Sequence, residues 1–252
     1  MINIRRCFRL SKLLIAAIFL NFTNIQAQPS QNRFKAGVAG GFHLSQIDGD
    51  NQQGYHKLGY LIGINGGFQV KNQFDITTEL YLNSRGAKPN PRQTFFSKEE
   101  SKININMQLA EMMAIGHVRF DPSADMSFYR QAFQFGVAYG KVLKSDITVI
   151  KDDKNQTGIE TEMKKGLKKS DLGLVLGWSW FLTPRLGVTA RHTFSLLPIY
   201  SNETIGTDKS NYFKLRPYFL SLNVFYNFIS PKMDLKKNKK KEKDKLSKLE
   251  EI

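Results

Sequence analysis

The sequence of 252 residues holds a single cysteine, Cys7, and it stands ahead of the first apolar run instead of behind it. A lipidated cysteine follows such a run, so a lipoprotein signal is excluded. Removal of a leader ending at Ala27 would leave a chain without thiols, which excludes disulfides, thiolate nucleophiles and cysteine metal sites. Apolar runs of the ~20 residues that a bilayer-spanning helix needs are missing as well. No helical period runs through the body of the chain. Metal-ligand spacing is also missing, since Asp48-Gly49-Asp50 is too short for a calcium loop. No metal and no cofactor is therefore expected.

What is present begins with an export signal. Arg5, Arg6, Arg9 and Lys12 precede the apolar stretch Leu13 to Leu20, and Ile25-Gln26-Ala27 sets a small residue before Gln28. This pattern predicts a signal peptide over 1–27, cut between Ala27 and Gln28. The formal net charge of +15 divides unevenly. The leader holds four basic residues and no acid, and the segment from Lys232 has nine lysines against five acids. The stretch between them keeps 24 basic and 17 acidic residues. Export makes nucleic acid a poor counterpart for this charge. Anionic outer-membrane lipid and lipopolysaccharide are the expected partners.

Strict alternation of apolar and polar residues recurs after residue 33. Phe34, Ala36, Val38, Gly40, Phe42 and Leu44 alternate with Lys35, Gly37, Ala39, Gly41, His43 and Ser45. A strand sends successive side chains to opposite faces, so this segment has one greasy and one wet face. The same parity returns in Leu58 to Val70 and, after the tight hairpin Lys71-Asn72-Gln73, in Phe74 to Leu82. A fourth run, Ile103 to Phe120, points Ala110, Met112, Ala114, Gly116, Val118 and Phe120 outward and Glu111, His117 and Arg119 inward. The fifth sets Tyr129, Phe133, Phe135, Val137 and Tyr139 against Arg130, Gln134, Gly136 and Gly140. Leu172 to Leu182, Leu186 to Leu196 and Tyr218 to Phe228 complete eight strands.

Connections after the second, fourth and sixth strands are short, and those after the other strands are long. That asymmetry, with aromatic residues near strand ends, predicts an eight-stranded antiparallel up-and-down transmembrane barrel over 28–231. A soluble lipocalin-like barrel would turn its apolar face inward. Here the inward set includes Asp75, Glu79 and Arg85, expected to pair with Arg119, Arg130 or Arg191 across a narrow lumen. Short turns and the carboxyl end are expected in the periplasm, and long loops outside. Ile147 and Val149 continue their alternation, so the fifth and sixth strands are expected to project beyond the membrane around a hairpin tip at Asp152 to Gly158. Lys164, Lys165, Lys168 and Lys169 follow near the outer rim, either against lipopolysaccharide phosphates or as a solvated loop. The tail 232–252 has no packing face. Its Lys236, Lys237, Lys239, Lys240 and Lys241 are expected either to meet an acidic periplasmic or secretion-machine protein or to stay solvated.

One constellation has the elements of a hydrolase. His43 and Ser45 share the inner face of the first strand, with Asp48 and Asp50 beyond. The competing role for Ser45 and the two acids is to shape the turn leaving the strand, and no acid partner is fixed by spacing. His192 shares the lipid-facing parity of its strand, where a histidine is expected at the interface.

The run Phe34 to Asp50, Phe-Lys-Ala-Gly-Val-Ala-Gly-Gly-Phe-His-Leu-Ser-Gln-Ile-Asp-Gly-Asp, is followed by Gly54-Tyr55-His56-Lys57-Leu58-Gly59. With Tyr81 to Gly86, Asp171 to Gly177 and Asn227-Phe228, it resembles the PorT-like outer-membrane β-barrel family common in Bacteroidetes. The resemblance covers Arg33 to Phe228. Relatives usually carry a Leu-Glu-Ile-Pro-like stretch in the fourth strand, where this chain has Leu109-Ala110-Glu111-Met112-Met113. The resemblance implies an eight-stranded outer-membrane barrel and, for the namesake branch, a part in type IX secretion. Three functions stand in order of expectation: a non-enzymatic barrel assisting an envelope export machine, a small pore or general structural or adhesive barrel, and a lipid-modifying enzyme.

Overall fold

The computed structural model describes residues 33–48, 54–88, 102–151, 154–155, 157–201, 214–231, 233 and 235. The leader with its Ala27–Gln28 junction, Asp50, and the tail lysines Lys236, Lys237, Lys239, Lys240 and Lys241 lie outside the described residues. All described residues belong to one compact unit beginning at Arg33.

Eight long antiparallel strands form the body of this unit: β1 (Phe34–Asp48), β2 (Lys57–Lys71), β3 (Phe74–Ala87), β4 (Lys102–Pro122), β5 (Tyr129–Lys151), β7 (Ser170–Phe181), β8 (Leu186–Ser195) and β10 (Lys214–Ile229). Among the described residues, two-residue pieces, β6 (Lys154–Asn155) and β9 (Tyr200–Ser201), and one helix, α1 (Thr157–Gly166), lie in the connections. Each long strand pairs with its neighbour in the chain, and β10 pairs back to β1 from Ala36↔Ile229 to Asp48↔Arg216. The sheet is a closed ring with no free edge between first and last strands.

The alternation of the sequence becomes an inside-out distribution. Leu58, Ile62, Ile64, Leu82 and Val224 each leave more than half their surface exposed, while Arg85 and Asp75 are 1% exposed. A water-soluble protein cannot keep such a girdle, whereas a barrel in hydrocarbon requires it. Among the described residues no helix is long and apolar enough to cross a membrane; the strands make the crossing.

Connections at one end are short. β2 and β3 join through Asn72 and Gln73. Between β4 and β5, Ser123 Oγ accepts from the backbone N–H groups of Ser127 and Phe128, at 3.2 Å each. Between β7 and β8, Thr183 Oγ1 accepts from the N–H of Arg185 at 3.2 Å and of Leu186 at 2.9 Å. Hydroxyl-to-backbone bonds of this kind hold tight turns without extra chain. Beyond β10, and against the expectation that the tail from 232 has no packing face, Leu235 is buried at this end and its N–H donates to the Met126 carbonyl at 3.2 Å.

Three expectations need correction. β5 does project past the ring, but its partner is β4, not the following strand. β4–β5 pairing continues to Lys102↔Ile150, whereas β5–β7 pairing stops at Lys141↔Ser170. The hairpin expected at Asp152 to Gly158 does form, since β5 pairs with β6 through Ile150↔Asn155 and Lys151↔Lys154, but its return strand is two residues long and the chain winds into α1 from Thr157. Met163 of α1 and Leu167, just past its end, explain the change: both are buried in one apolar cluster with residues of β4 and β5. Second, Arg130 is not in the lumen. Its side chain is 58% exposed and donates to Asp121 at 2.8 Å across the short turn. Third, Tyr129 is buried, not outward. The last two share one cause. Between Tyr129 and Ala132, both buried, two residues intervene instead of one, so the parity slips as the strand enters the ring.

At the long-loop end an apolar cluster closes the ring. Ile105, Met107 and Leu109 of β4 meet Ile147 and Val149 of β5, with Met163 and Leu167, Ile199, Tyr200 and Leu215 packed beside them. Glu160 fastens α1 to the projecting hairpin by accepting from the Val149 N–H at 2.9 Å.

Candidate functional site

Inward-facing positions of the ring place their polar groups in three tiers. Nearest the short turns, Asp75 receives Lys35 Nζ, Arg119 Nε at 2.5 Å and His117 Nδ1 at 3.1 Å. The Arg119 guanidinium also lies over the Phe181 ring, 4.7 Å from its centre. In the middle tier Arg191 donates to both oxygens of Glu79, at 2.5 and 2.8 Å, and through Nε to Gln134 Oε1 at 2.6 Å. Gln134 Nε2 continues to Ser179 Oγ at 2.5 Å, which shares a hydrogen bond with Thr189 Oγ1 at 2.8 Å. Toward the long loops, Arg85 joins Glu111 and, at 3.2 Å, Asp171. Asn83 Nδ2 donates to the other Glu111 oxygen at 2.6 Å, and Ser195 Oγ to Asp171 at 2.9 Å.

Sequence therefore assigns five residues to the lumen that the ring does gather there: Asp75, Glu79, Arg85, Arg119 and Arg191. Arg130 stays outside. Lys35, Glu111 and Asp171 complete the pairs. Their inward parity is visible in the sequence, but nothing in it names their partners. Arg85 and Asp171 lie 86 positions apart and meet because the sheet closes. Lys35, Arg85, Arg119 and Arg191 face Asp75, Glu79, Glu111 and Asp171, so these pairs balance in charge. Buried charges are tolerated when every one is paired and bonded, and become costly when one partner is lost.

Glycine makes room for these side chains. A Cβ on Gly177 would lie 2.7 Å from Arg191 Cγ, and one on Gly140 would lie 3.1 Å from Arg85 Nη2. Large and small residues thus alternate across the lumen. A cavity of about 30 Å³ remains around Glu79, Gln134, Thr189 and Arg191, room for about one or two waters.

The hydrolase-like constellation does not assemble. His43 Nε2 bonds the Ser84 carbonyl at 2.6 Å, while Ser45 Oγ donates to the Gly86 carbonyl at 2.8 Å and accepts its N–H at 3.1 Å. Both side chains fasten β1 to the backbone of β3, and Asp48 is exposed at the strand end. A nucleophile needs a base within hydrogen-bond reach and an orienting group behind it, and these bonds point elsewhere. Among the described residues no group of three or more His, Cys, Asp or Glu is placed to hold a metal. His192 sits on the outer face, half-buried. Tyr55 from the β1–β2 loop covers it and shares a hydrogen bond with its Nε2 at 2.7 Å.

Comparison with solved structures finds small outer-membrane barrels. Ail, the attachment invasion locus protein of Yersinia pestis, is 11% identical, with 77% of this chain and 99% of Ail aligned at a TM-score of 0.39. OprG of Pseudomonas aeruginosa is 11% identical over 79% and 98% of the two chains, with a TM-score of 0.38. Neisserial surface protein A is 12% identical over 77% and 97%, with a TM-score of 0.37. No curated protein matches the sequence. The family described as outer membrane protein beta-barrel domain matches residues 26–201. That match spans well over half of the sequence and joins the closed inside-out ring, so the chain belongs to the outer membrane protein beta-barrel domain family and is an integral protein of the bacterial outer membrane.

Proposed function

We propose that this chain is a non-enzymatic outer-membrane barrel that serves as an anchor or accessory of cell-envelope protein export, in the type IX form that its PorT-like sequence features imply. The supporting observation is the occupied lumen. Three ion-paired tiers stand in series, and an apolar cluster covers the long-loop end. Such a ring offers partners its two ends and its outer wall, not a passage. The same packing counts against the small-pore reading, since about eight strands enclose little more than their own side chains. A lipid-modifying role would need a relay, and His43 and Ser45 have none.

In this reading residues 1–27 direct export, short turns and tail face the periplasm, and the long loops face outside. The lysine-rich tail then meets an acidic periplasmic partner. The test is deletion of the gene, with the outer membrane checked for integrity and surface and culture proteomes compared with the parent. Loss of type IX cargo from the surface, with periplasmic accumulation, supports the proposal. An unchanged surface proteome removes it and leaves a barrel of general structural or adhesive role.

A further inference from the structure

The outer wall of the ring carries an apolar groove with a cation at one end. Two rows of outward residues run side by side across β1 to β5. Val38, Ile64, Leu80, Met112 and Tyr139 are successive cross-strand partners in the lower row. The row nearer the long loops is Gly40, Ile62, Leu82, Ala110 and Lys141. Ala110 has little side chain, so the wall is low at that position, between Leu82 and Lys141. The result is a groove of about 940 Å³ lined by Ile62, Leu82, Ala110, Met112, Tyr139 and Lys141 among others.

Lys141 is the first of a basic cluster. Its partner across β7 is Ser170, and directly before Ser170 come Lys168 and Lys169. The Lys169 carbonyl accepts the Val142 N–H at 2.8 Å, and the Ile199 carbonyl accepts the Lys168 N–H at 2.7 Å, so the backbone under both lysines is pinned to the rim. Lys144 follows on β5. All four of these lysines are exposed. Among the described acids of this region, Asp146 pairs with Lys164 at 3.3 Å and Glu160 accepts from the Val149 N–H.

An apolar seat that ends in several lysines carried on a hydrogen-bonded backbone matches an acyl chain joined to a multiply phosphorylated headgroup. We propose that this wall binds a diphosphorylated glycolipid of the outer leaflet, with an acyl chain over Ala110 and its phosphates on Lys141, Lys144, Lys168 and Lys169. The identity of the lipid rests on the orientation proposed above, in which the long loops face outside. A soluble polyanion would have no use for the groove, and a neutral lipid none for the lysines. Lysine suits phosphate as a compact point charge, and several together discriminate a diphosphate from a single one.

The test uses the full-length protein in detergent, with diphosphoryl lipid A as the probe and native mass spectrometry as the readout. Replacing all four lysines by alanine is expected to lower the bound fraction about tenfold. Lys71→Ala with Arg185→Ala, at the opposite end, is expected to leave it unchanged. Ala110→Trp, which fills the groove, is expected to weaken binding several-fold with every lysine intact. Folding of each variant is checked by its heat-dependent gel shift. Should the fourfold variant not fold, titration of the parent protein with salt takes its place, since binding carried by the cluster must fall as ionic strength rises. Equal binding by the fourfold variant, or by fully dephosphorylated lipid A or phosphatidylglycerol on the parent, overturns the proposal. So does binding to the parent that salt leaves unchanged. Orientation is read separately, by labelling Lys165→Cys in intact cells with an impermeant maleimide. Label excluded from the cysteine overturns the orientation, whatever the purified protein binds.

Discussion

Arg191 and Glu79 are 112 positions apart in the chain, yet the guanidinium of one donates to both carboxylate oxygens of the other, at 2.5 and 2.8 Å. Both side chains are nearly inaccessible. Removing Glu79 alone leaves a desolvated cation, a defect that costs about 3–5 kcal/mol, whereas replacing both partners by apolar residues of similar volume is close to neutral. Glu79→Leu is therefore expected to destabilise the folded barrel strongly, and Glu79→Leu with Arg191→Met to recover most of the loss. Urea unfolding in lipid vesicles measures both. A double variant as weak as the single one would show that Gln134 and Ser179, not the charge, depend on Arg191.

The three tiers lie in series, and conduction through the ring would have to pass all of them. The parent protein is expected to give no current steps in planar bilayers. Opening the tier at the short turns by Lys35→Ala and Arg119→Ala is expected to leave it silent, because the Glu79–Arg191 and Arg85–Glu111 pairs still fill the next two levels. Steps from that variant would mean that one tier gates the whole lumen.

The β4–β5 turn carries a pH signature. Asp125 Oδ1 accepts from Ser123 Oγ at 2.6 Å, and its Oδ2 from Ser127 Oγ at 2.7 Å. These bonds favour the carboxylate and lower its pKa from 3.8 to about 2. A depressed carboxylate contributes its ordering above pH 3.8, and the contribution fades as pH falls toward 2. Amide exchange at Ser127 and Phe128, taken relative to the intrinsic rate at each pH, is expected to stay slow down to about pH 4 and to quicken below it. In Asp125→Ala it is expected to be fast throughout, with no acid transition. An unchanged acid transition in that variant would assign the effect to another group.

Much of this architecture is legible in the sequence because a membrane barrel writes its faces at a period of two. Leu172 to Leu182 states its inside and outside without ambiguity, and so do Phe34 to Leu44 and Tyr218 to Phe228. Legibility fails where the ring stops imposing that period. Arg130 and Tyr129 stand at the entry to β5, where the parity slips by one residue. Met163 and Leu167 lie past the paired ring, where α1 and the residue after it bury them as well as a strand would. Ion-pair partners fail for a different reason. Parity tells that Asp171 faces inward, but which arginine it meets depends on the stagger of the closed sheet, and no local pattern records that.

The glycines allow the inside and the outside to be tested with one substitution. Gly177 and Gly66 both interrupt apolar strands, and the period of two assigns them to opposite faces. In the ring they are opposites. A Cβ on Gly177 would come within 2.7 Å of Arg191 Cγ and 2.9 Å of the Ala190 carbonyl, whereas one on Gly66 would meet nothing within 4 Å. Overfilling a packed interior costs about 1–3 kcal/mol, and here it also pushes Arg191 from Glu79. Gly177→Val is therefore expected to lower the unfolding midpoint markedly. Gly66→Val adds an apolar, β-favouring side chain to a lipid-facing surface and is expected to be neutral or mildly stabilising. Parallel urea unfolding of the two variants in vesicles decides the matter, and a larger loss for Gly66→Val would invert the assignment of faces on which the inside-out barrel depends.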